Sequence, residues 1–205
     1  MPAPSKPINL VVASSNEGKV REYRALAGTF GAGIALELLP NFAALPAFAE
    51  AAPTFAENAV GKALHYSRLS PGLLIADDSG LVVPALGGAP GVHSARYAGP
   101  AATDARRIQK LLGEMRDKRG QDRCAQFVCV VAVAEAGNVR GVFSASAEGE
   151  LLDAPRGAGG FGYDPIFFLP DLRTTFAEIS GEEKNRLSHR GQAFRKALDF
   201  LLSTS

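Results

Sequence analysis

Runs of apolar positions, broken by polar clusters, divide the chain into strands and helices in turn. Ile8 to Ala13 is apolar over a length that suits a buried strand, and a helix is predicted from Lys19 to about Ala27 after an intervening polar cluster. Ile34 to Leu39 reads as the next strand. Thr54 to Ser67 reads as a helix opened by "TFAE", in which a hydroxyl and a glutamate three residues later can cap each other's backbone amides. Leu73 to Ala76 and Leu81 to Val83 are two short apolar strands, and Thr103 caps a helix through "DARRIQKLLGEM". The pattern then changes. Phe127 to Ala134 and Val139 to Ala147 pair as a hairpin around Ala136-Gly137-Asn138, and Phe161 to Leu169 adds an aromatic strand. Ser188 to Leu202 closes the chain as a helix with Phe194, Leu198, Leu201 and Leu202 as its apolar stripe.

Hairpins and helical crossovers in one chain predict an α/β fold: an elongated mixed β-sheet with flanking helices, bent into two lobes. No internal repeat occurs, and no linker is long enough to separate independent domains, so one folding unit is expected over the 205 residues. The Ala- and Pro-rich run "FAALPAFAEAAP", Phe42 to Pro53, reads as a mobile loop whose one charge is Glu50.

The balance of 22 basic against 21 acidic residues leaves a net charge of +1, which excludes an overall field drawing the protein to nucleic acid or an anionic membrane. A bound anion must be small and met locally. The opening "MPAPSKPINL" lacks the apolar run of a signal peptide and nothing approaches a membrane span, so a cytoplasmic protein is expected. Cys124 and Cys129 lie five apart on a predicted strand and point to opposite faces, which suits packing residues and neither a disulfide nor a shared metal.

Three segments carry candidate chemistry. In "VVASSNEGKVREY" a strand ends in Ser14, Ser15, Asn16, Glu17, Gly18 and Lys19 at the start of a helix, where unpaired amides favour an anion; the loop suits a phosphate. "LLIADDSG" delivers Asp77 and Asp78 as an apolar strand stops. Adjacent residues on an extended chain face opposite ways, so one can point into a site and the other support it; a magnesium ion needs no more than one or two carboxylates besides phosphate oxygens. A capping or turn pair is the alternative reading. "GAGGFGYDP", Gly157 to Pro165, combines four glycines with Phe161, Tyr163 and Asp164; a ring there can stack on a nucleobase, or the segment is a turn with core aromatics. Basic residues recur near helix starts: Lys19, Lys62 one turn after Asn58 on a shared face, and Lys184 and Arg190 in "EEKNRLSHRGQ". No G-x-x-x-x-G-K-[ST] occurs, which excludes a P-loop NTPase.

Together "SSNEGKVRE", "TFAENAVGKA", "ADDSGLVVPALGGAPGVHSARYAG", "GFGYDPIF" and "EEKNRLSHRGQA" resemble, in order and over Leu10 to about Leu202, the motifs of the Ham1/inosine triphosphate pyrophosphatase family. Ala52 departs from the family by standing where a glycine is usual, and the seven-residue N-terminal extension has no counterpart. The resemblance implies two lobes around a central nucleotide-binding cleft, and magnesium-dependent hydrolysis of inosine, deoxyinosine or xanthosine triphosphate to the monophosphate and pyrophosphate. It implies phosphate contacts from Ser14 to Lys19, with Lys62 and Ser79 also against substrate. Glu50 and Asp78 would serve the metal, Asp77 being a supporting partner or a further ligand, and Asp78 would orient or deprotonate the attacking water. Phe161 would stack on the base, Gly162, Tyr163 and Asp164 would shape its pocket, and Lys184, His189 and Arg190 would close it, Arg190 reading the purine 6-keto oxygen. A homodimer is also implied. Two rivals stand beside this reading: the Maf-like nucleotide pyrophosphatases, which lack "GFGYDP" and "SHRG", and a non-catalytic nucleotide-binding protein.

Overall fold

The computed structural model describes residues 7–204; residues 1–6, nearly all of the N-terminal extension, and residue 205 lie outside the described residues. Among the described residues seven strands alternate with five α-helices: β1 (Ile8–Val12), α1 (Glu17–Thr29), β2 (Ile34–Leu38), α2 (Phe55–Ser67), β3 (Leu73–Val82), α3 (Asp104–Glu114), β4 (Cys124–Glu135), β5 (Asn138–Leu151), β6 (Phe167–Leu169), β7 (Thr174–Thr175), α4 (Gly181–Leu187) and α5 (His189–Ser203). They hydrogen-bond as one sheet in the order β2-β1-β3-β4-β5-β6-β7. The sheet is mixed, as expected: β1 runs parallel to β2 and β3, whereas β6 is antiparallel to β5 and β7.

The chain divides into two compact units, unit 1 (residues 1–78, 129–145 and 190–205) and unit 2 (79–128 and 146–189), so β3, β4 and β5 each contribute to both. In unit 1 strand periodicity decides which helix each residue meets. Leu10, Val12, Ile75, Cys129, Val131 and Val133 pack with Tyr23 and Leu26 of α1 and with Phe194, Ala197 and Leu198 of α5. Their neighbours Ala13, Leu74, Ala76, Val130, Ala132 and Ala134 point to the other face, against Ala59, Ala63 and Tyr66 of α2. Unit 2 has its own core, in which Ile108, Leu111 and Met115 meet Leu81, Val83, Phe127, Tyr163, Phe167 and Phe176. Cys124 is exposed and Cys129 buried, both free, as their odd spacing predicts.

Three expectations need correction, and one helix is added. Leu73 to Ala76 and Leu81 to Val83 are one strand, β3, so Asp77 and Asp78 lie in mid-strand and not at its end. Their polarity breaks the apolar pattern, but a strand is set by its backbone ladder, and helices satisfy these side chains. Phe161 to Leu169 is a strand only over Phe167–Leu169, because Gly160 and Gly162 take positive φ values that a strand excludes. The closing helix is α5, His189–Ser203, as expected, and a short helix that the sequence pattern did not reveal, α4, precedes it: Ser180 caps α4 by accepting from Glu183 N–H, and Ser188, extended at ψ 153°, separates α4 from α5. The segment from Phe42 to Pro53 is tied down, with a 3-10 turn at Phe42–Ala44, Phe48 N–H donating to the Tyr66 hydroxyl, and both backbone groups of Ala52 bonded to Asn58.

Phe194 is fully buried, its ring edge-on to Tyr23 at 4.7 Å. Phe194→Ala should cost about 3–5 kcal/mol of stability and lower the melting temperature by roughly 10 °C, with the far-UV circular dichroism unchanged below the transition.

Candidate active site

The candidate residues fall into two groups, one in each unit. In unit 1 the loop after β1 works as a helix cap. Asn16 is extended and its Oδ1 accepts from Lys19 N–H at 3.0 Å, while Ser14 Oγ accepts from Asn16 N–H at 3.2 Å. Capping uses the Asn16 side chain and leaves the first amides of α1 turned outward, beside the exposed Ser15 and Glu17 and the partly buried Gly18. From the first turn the Lys19 ammonium reaches back to Asp77 Oδ2 at 2.8 Å.

Asp77 and Asp78 are both nearly inaccessible to solvent, yet they meet different partners because successive side chains of β3 face opposite ways. Asp77 continues the Ile75 face. Lys19 comes from α1 and Arg190 from α5, whose Nε lies 3.8 Å from Asp77 Oδ2; Cys129 Sγ lies 3.9 Å away. Burial alone would push the Asp77 carboxyl up, but Lys19, Arg190 and Lys62 outweigh it and hold the group well below the usual carboxylate range. Next to it Cys129 is pushed up to about 12, first by burial and then by the Asp77 charge, so it is an inert thiol.

Asp78 continues the Leu74 and Ala76 face toward α2. Asn58, fully buried, donates through Nδ2 to Asp78 Oδ2 at 3.0 Å and to the Ala52 carbonyl at 3.2 Å, and its Oδ1 accepts from Ala52 N–H at 3.0 Å. One amide thus fastens the segment after Glu50 to the carboxylate, and Ala52 serves that purpose with its backbone alone. One turn further along α2, Lys62 donates to the Asp77 carbonyl at 2.9 Å and forms an ion pair with Glu50. Asn58 and Lys62 share the helix face their spacing predicts. Burial, reinforced by the Glu50 charge, moves the Asp78 carboxyl upward against the pull of Lys19 and Lys62.

Two members of this group escaped notice in the sequence. Glu22, nearly buried, accepts from Arg190 Nη1 at 2.5 Å, and Asn58 was noted only as a marker of the Lys62 face. The signal for Glu22 was present: it lies four residues before Leu26, on the apolar side of α1.

In unit 2, Asp164 Oδ2 accepts from Phe161 N–H at 2.7 Å and pairs with Lys184, whose ammonium sits 4.7 Å from the centre of the Phe161 ring. Lys184 and Asp164 are both buried. Gly160 is required: it holds φ +70°, and a Cβ there would collide with the Asp164 carboxylate. Tyr163 is a core residue, donating its hydroxyl to the Ser94 carbonyl at 3.0 Å. His189 stacks on Phe127 at 4.7 Å with the planes 6° apart. Phe161, by contrast, is only partly buried. Ser79 follows Asp78 on β3 and is partly buried, on the unit 2 side of the division.

Among the described residues no three or more His, Cys, Asp or Glu side chains gather as a metal cluster. The donor chemistry nevertheless fits a hard cation. Glu50 and Asp78 are carboxylate oxygen donors close enough for the Glu50 charge to disfavour that on Asp78, and magnesium takes further oxygens from water and phosphate.

The chain is 51% identical over 187 residues to the dITP/XTP pyrophosphatase of Geobacillus kaustophilus, covering 91% of each chain. Among solved structures, a HAM1 protein from Coxiella burnetii superposes with a TM-score of 0.84 at 42% identity over 97% of this chain and all of that one. The Staphylococcus aureus Ham1 protein gives 0.83 at 36% identity over 96% of this chain and all of the other. The Ham1 family profile matches residues 10–200, a span that holds both carboxylates of β3, the glycine loop of Phe161 and the basic residues of α4 and α5, and so the chain belongs to the Ham1 family.

Proposed function

We propose that the chain hydrolyses non-canonical purine nucleoside triphosphates, those of inosine, deoxyinosine and xanthosine, to the nucleoside monophosphate and pyrophosphate. Relatives named dITP/XTP pyrophosphatase support the substrate class. The observation that carries the chemistry is the opposite displacement of two adjacent carboxyls. Asp77, ringed by cations, stays ionised and serves as an electrostatic anchor, whereas Asp78, with its proton affinity raised, is the group suited to accept a proton from water.

In this reading the outward amides of α1 and the hydroxyls of Ser14 and Ser15 bind phosphate oxygens, and Lys19 and Lys62 supply positive charge toward the triphosphate. Asp78 orients a water and takes its proton as the water oxygen bonds to phosphorus and pyrophosphate departs. Glu50 and Asp78 would hold a magnesium ion, which when bound polarises phosphate and water oxygens. Phe161 supplies a face for the base and Lys184 fixes Asp164 beneath it. The ion pairs of Arg190 with Glu22 and Asp77 favour orientation of Asp77 as its role over reading the base, and leave His189, in the same unit as Phe161, as the donor for the purine 6-keto oxygen. The reading also includes the homodimer implied by the resemblance and the cytoplasmic location expected from the sequence. A binding protein without activity is disfavoured because the relatives are named as pyrophosphatases.

Release of pyrophosphate from deoxyinosine triphosphate tests the proposal. Asp78→Asn should reduce turnover by ~10²-fold or more while leaving the melting curve intact. A chelator should abolish turnover, and added magnesium should restore it. Lys62→Ala should lower kcat/KM by about tenfold and by the same factor for inosine and guanosine triphosphates, because an ammonium reads charge and not base edges.

A further inference from the structure

The segment that carries Phe161 is glycine-rich, and such a chain loses much conformational entropy when it is fixed. Phe161 is flanked by Gly160 at φ +70° and Gly162 at φ +63°, both in the left-handed region. Something must hold the ring in place. Asp164 supplies one clamp, at the Phe161 amide. The next amide along has a second: Gly162 N–H donates to Asp104 Oδ2 at 2.7 Å, across 58 positions of sequence. Asp104 is the first residue of α3, and its other oxygen is engaged by Arg107, which also donates to the carbonyls of Ala95 and Ala102 at 2.7 Å. The carboxylate is therefore itself held in orientation. A pocket of about 530 Å³ lies between α3 and the loop, lined by Ile108, Leu112, Gly160, Phe161 and Pro165 among others. Open space on that side means that packing does little to stop the loop swinging toward α3, which leaves the work to hydrogen bonds.

We propose that Asp104 is a positioning residue for nucleotide recognition: by accepting the Gly162 amide it fixes the backbone on one side of Phe161, as Asp164 does on the other, and so sets where the ring meets the base. The proposal rests on the reading of Phe161 as the base-stacking residue. Asp104 touches no substrate. It acts on the loop alone, so its loss should weaken binding of the base more than it slows the chemical step.

The test is a double-mutant cycle on the full-length protein with deoxyinosine triphosphate. Asp104→Ala should raise KM about tenfold with kcat changed by less than about threefold, the scale of a misplaced stacking contact. Asp104→Asn keeps a carbonyl oxygen for the Gly162 amide and should recover most of the loss. Thr103→Ala removes the α3 cap without touching the loop and should leave KM unchanged. In a Phe161→Ala background, Asp104→Ala should add less than about twofold, since two residues that act through one contact are not additive. Hydrogen exchange at the Gly162 amide should quicken in Asp104→Ala and not in Asp104→Asn, a readout independent of activity. An Asp104→Ala penalty that multiplies in full on Phe161→Ala, or an unaltered KM beside a damaged Phe161→Ala, overturns the role of Asp104 alone. A wild-type KM in Phe161→Ala overturns the stacking reading and this proposal with it.

Discussion

The buried charge on Asp77 is the constraint around which unit 1 is organised. An ionised carboxylate in mid-strand, beside Ile75 and Cys129, is tolerable only if cations surround it, and these arrive on different helices: Lys19 on α1 and Arg190 on α5, with Lys62 of α2 on the Asp77 carbonyl. Three helices are thereby registered against one residue of the sheet. Arg190 in turn needs Glu22, so an alternating series runs Glu22, Arg190, Asp77, Lys19. Removing one member of such a buried series leaves its neighbour uncompensated, at a cost of ~3–5 kcal/mol, which ties the stability of the unit to the same groups that would handle phosphate.

The two-residue period of a strand then does chemical work. One step along β3 carries the chain from the face of α1 and α5 to the face of α2, and from an electrostatic setting in which cations outweigh burial to one in which burial and a second carboxylate, Glu50, outweigh the pull of Lys19, Lys62 and the Asn58 amide. Two identical side chains acquire opposite proton affinities without any difference in their own chemistry. Placing both in mid-strand also fixes their backbone, as a loop would not.

Unit 2 solves the converse problem. Its glycine segment is free to adopt backbone angles closed to other residues, which allows close approach to a ligand, and so it must be immobilised from outside. Asp164 does this from within the loop, and it is placed by Lys184, one turn into α4. Asp104 does it from α3. Carboxylates accepting backbone amides are strong, short hydrogen bonds, well suited to holding a segment that has little side-chain packing of its own.

The sequence by itself determined the alternating elements, the mixed sheet and most of the helix starts, because those follow from periodicities of 2.0 and 3.6 and from capping residues such as Thr54 and Thr103. Local chemistry also made Asp77, Asp78, Lys19, Lys62, Phe161 and Lys184 legible as candidates, since charges and glycines interrupting apolar runs are visible along the chain. The extent of β3 was not legible, for its ladder is a property of neighbouring strands and its polar middle is neutralised by residues far away in sequence. Only the tertiary structure assigned partners: Arg190 to Glu22 across 168 positions, Asn58 to Asp78 across 20, and Asp104 to Gly162 across 58. Proton affinity and loop rigidity depend on those partners, and long-range pairing leaves no periodic trace in a sequence.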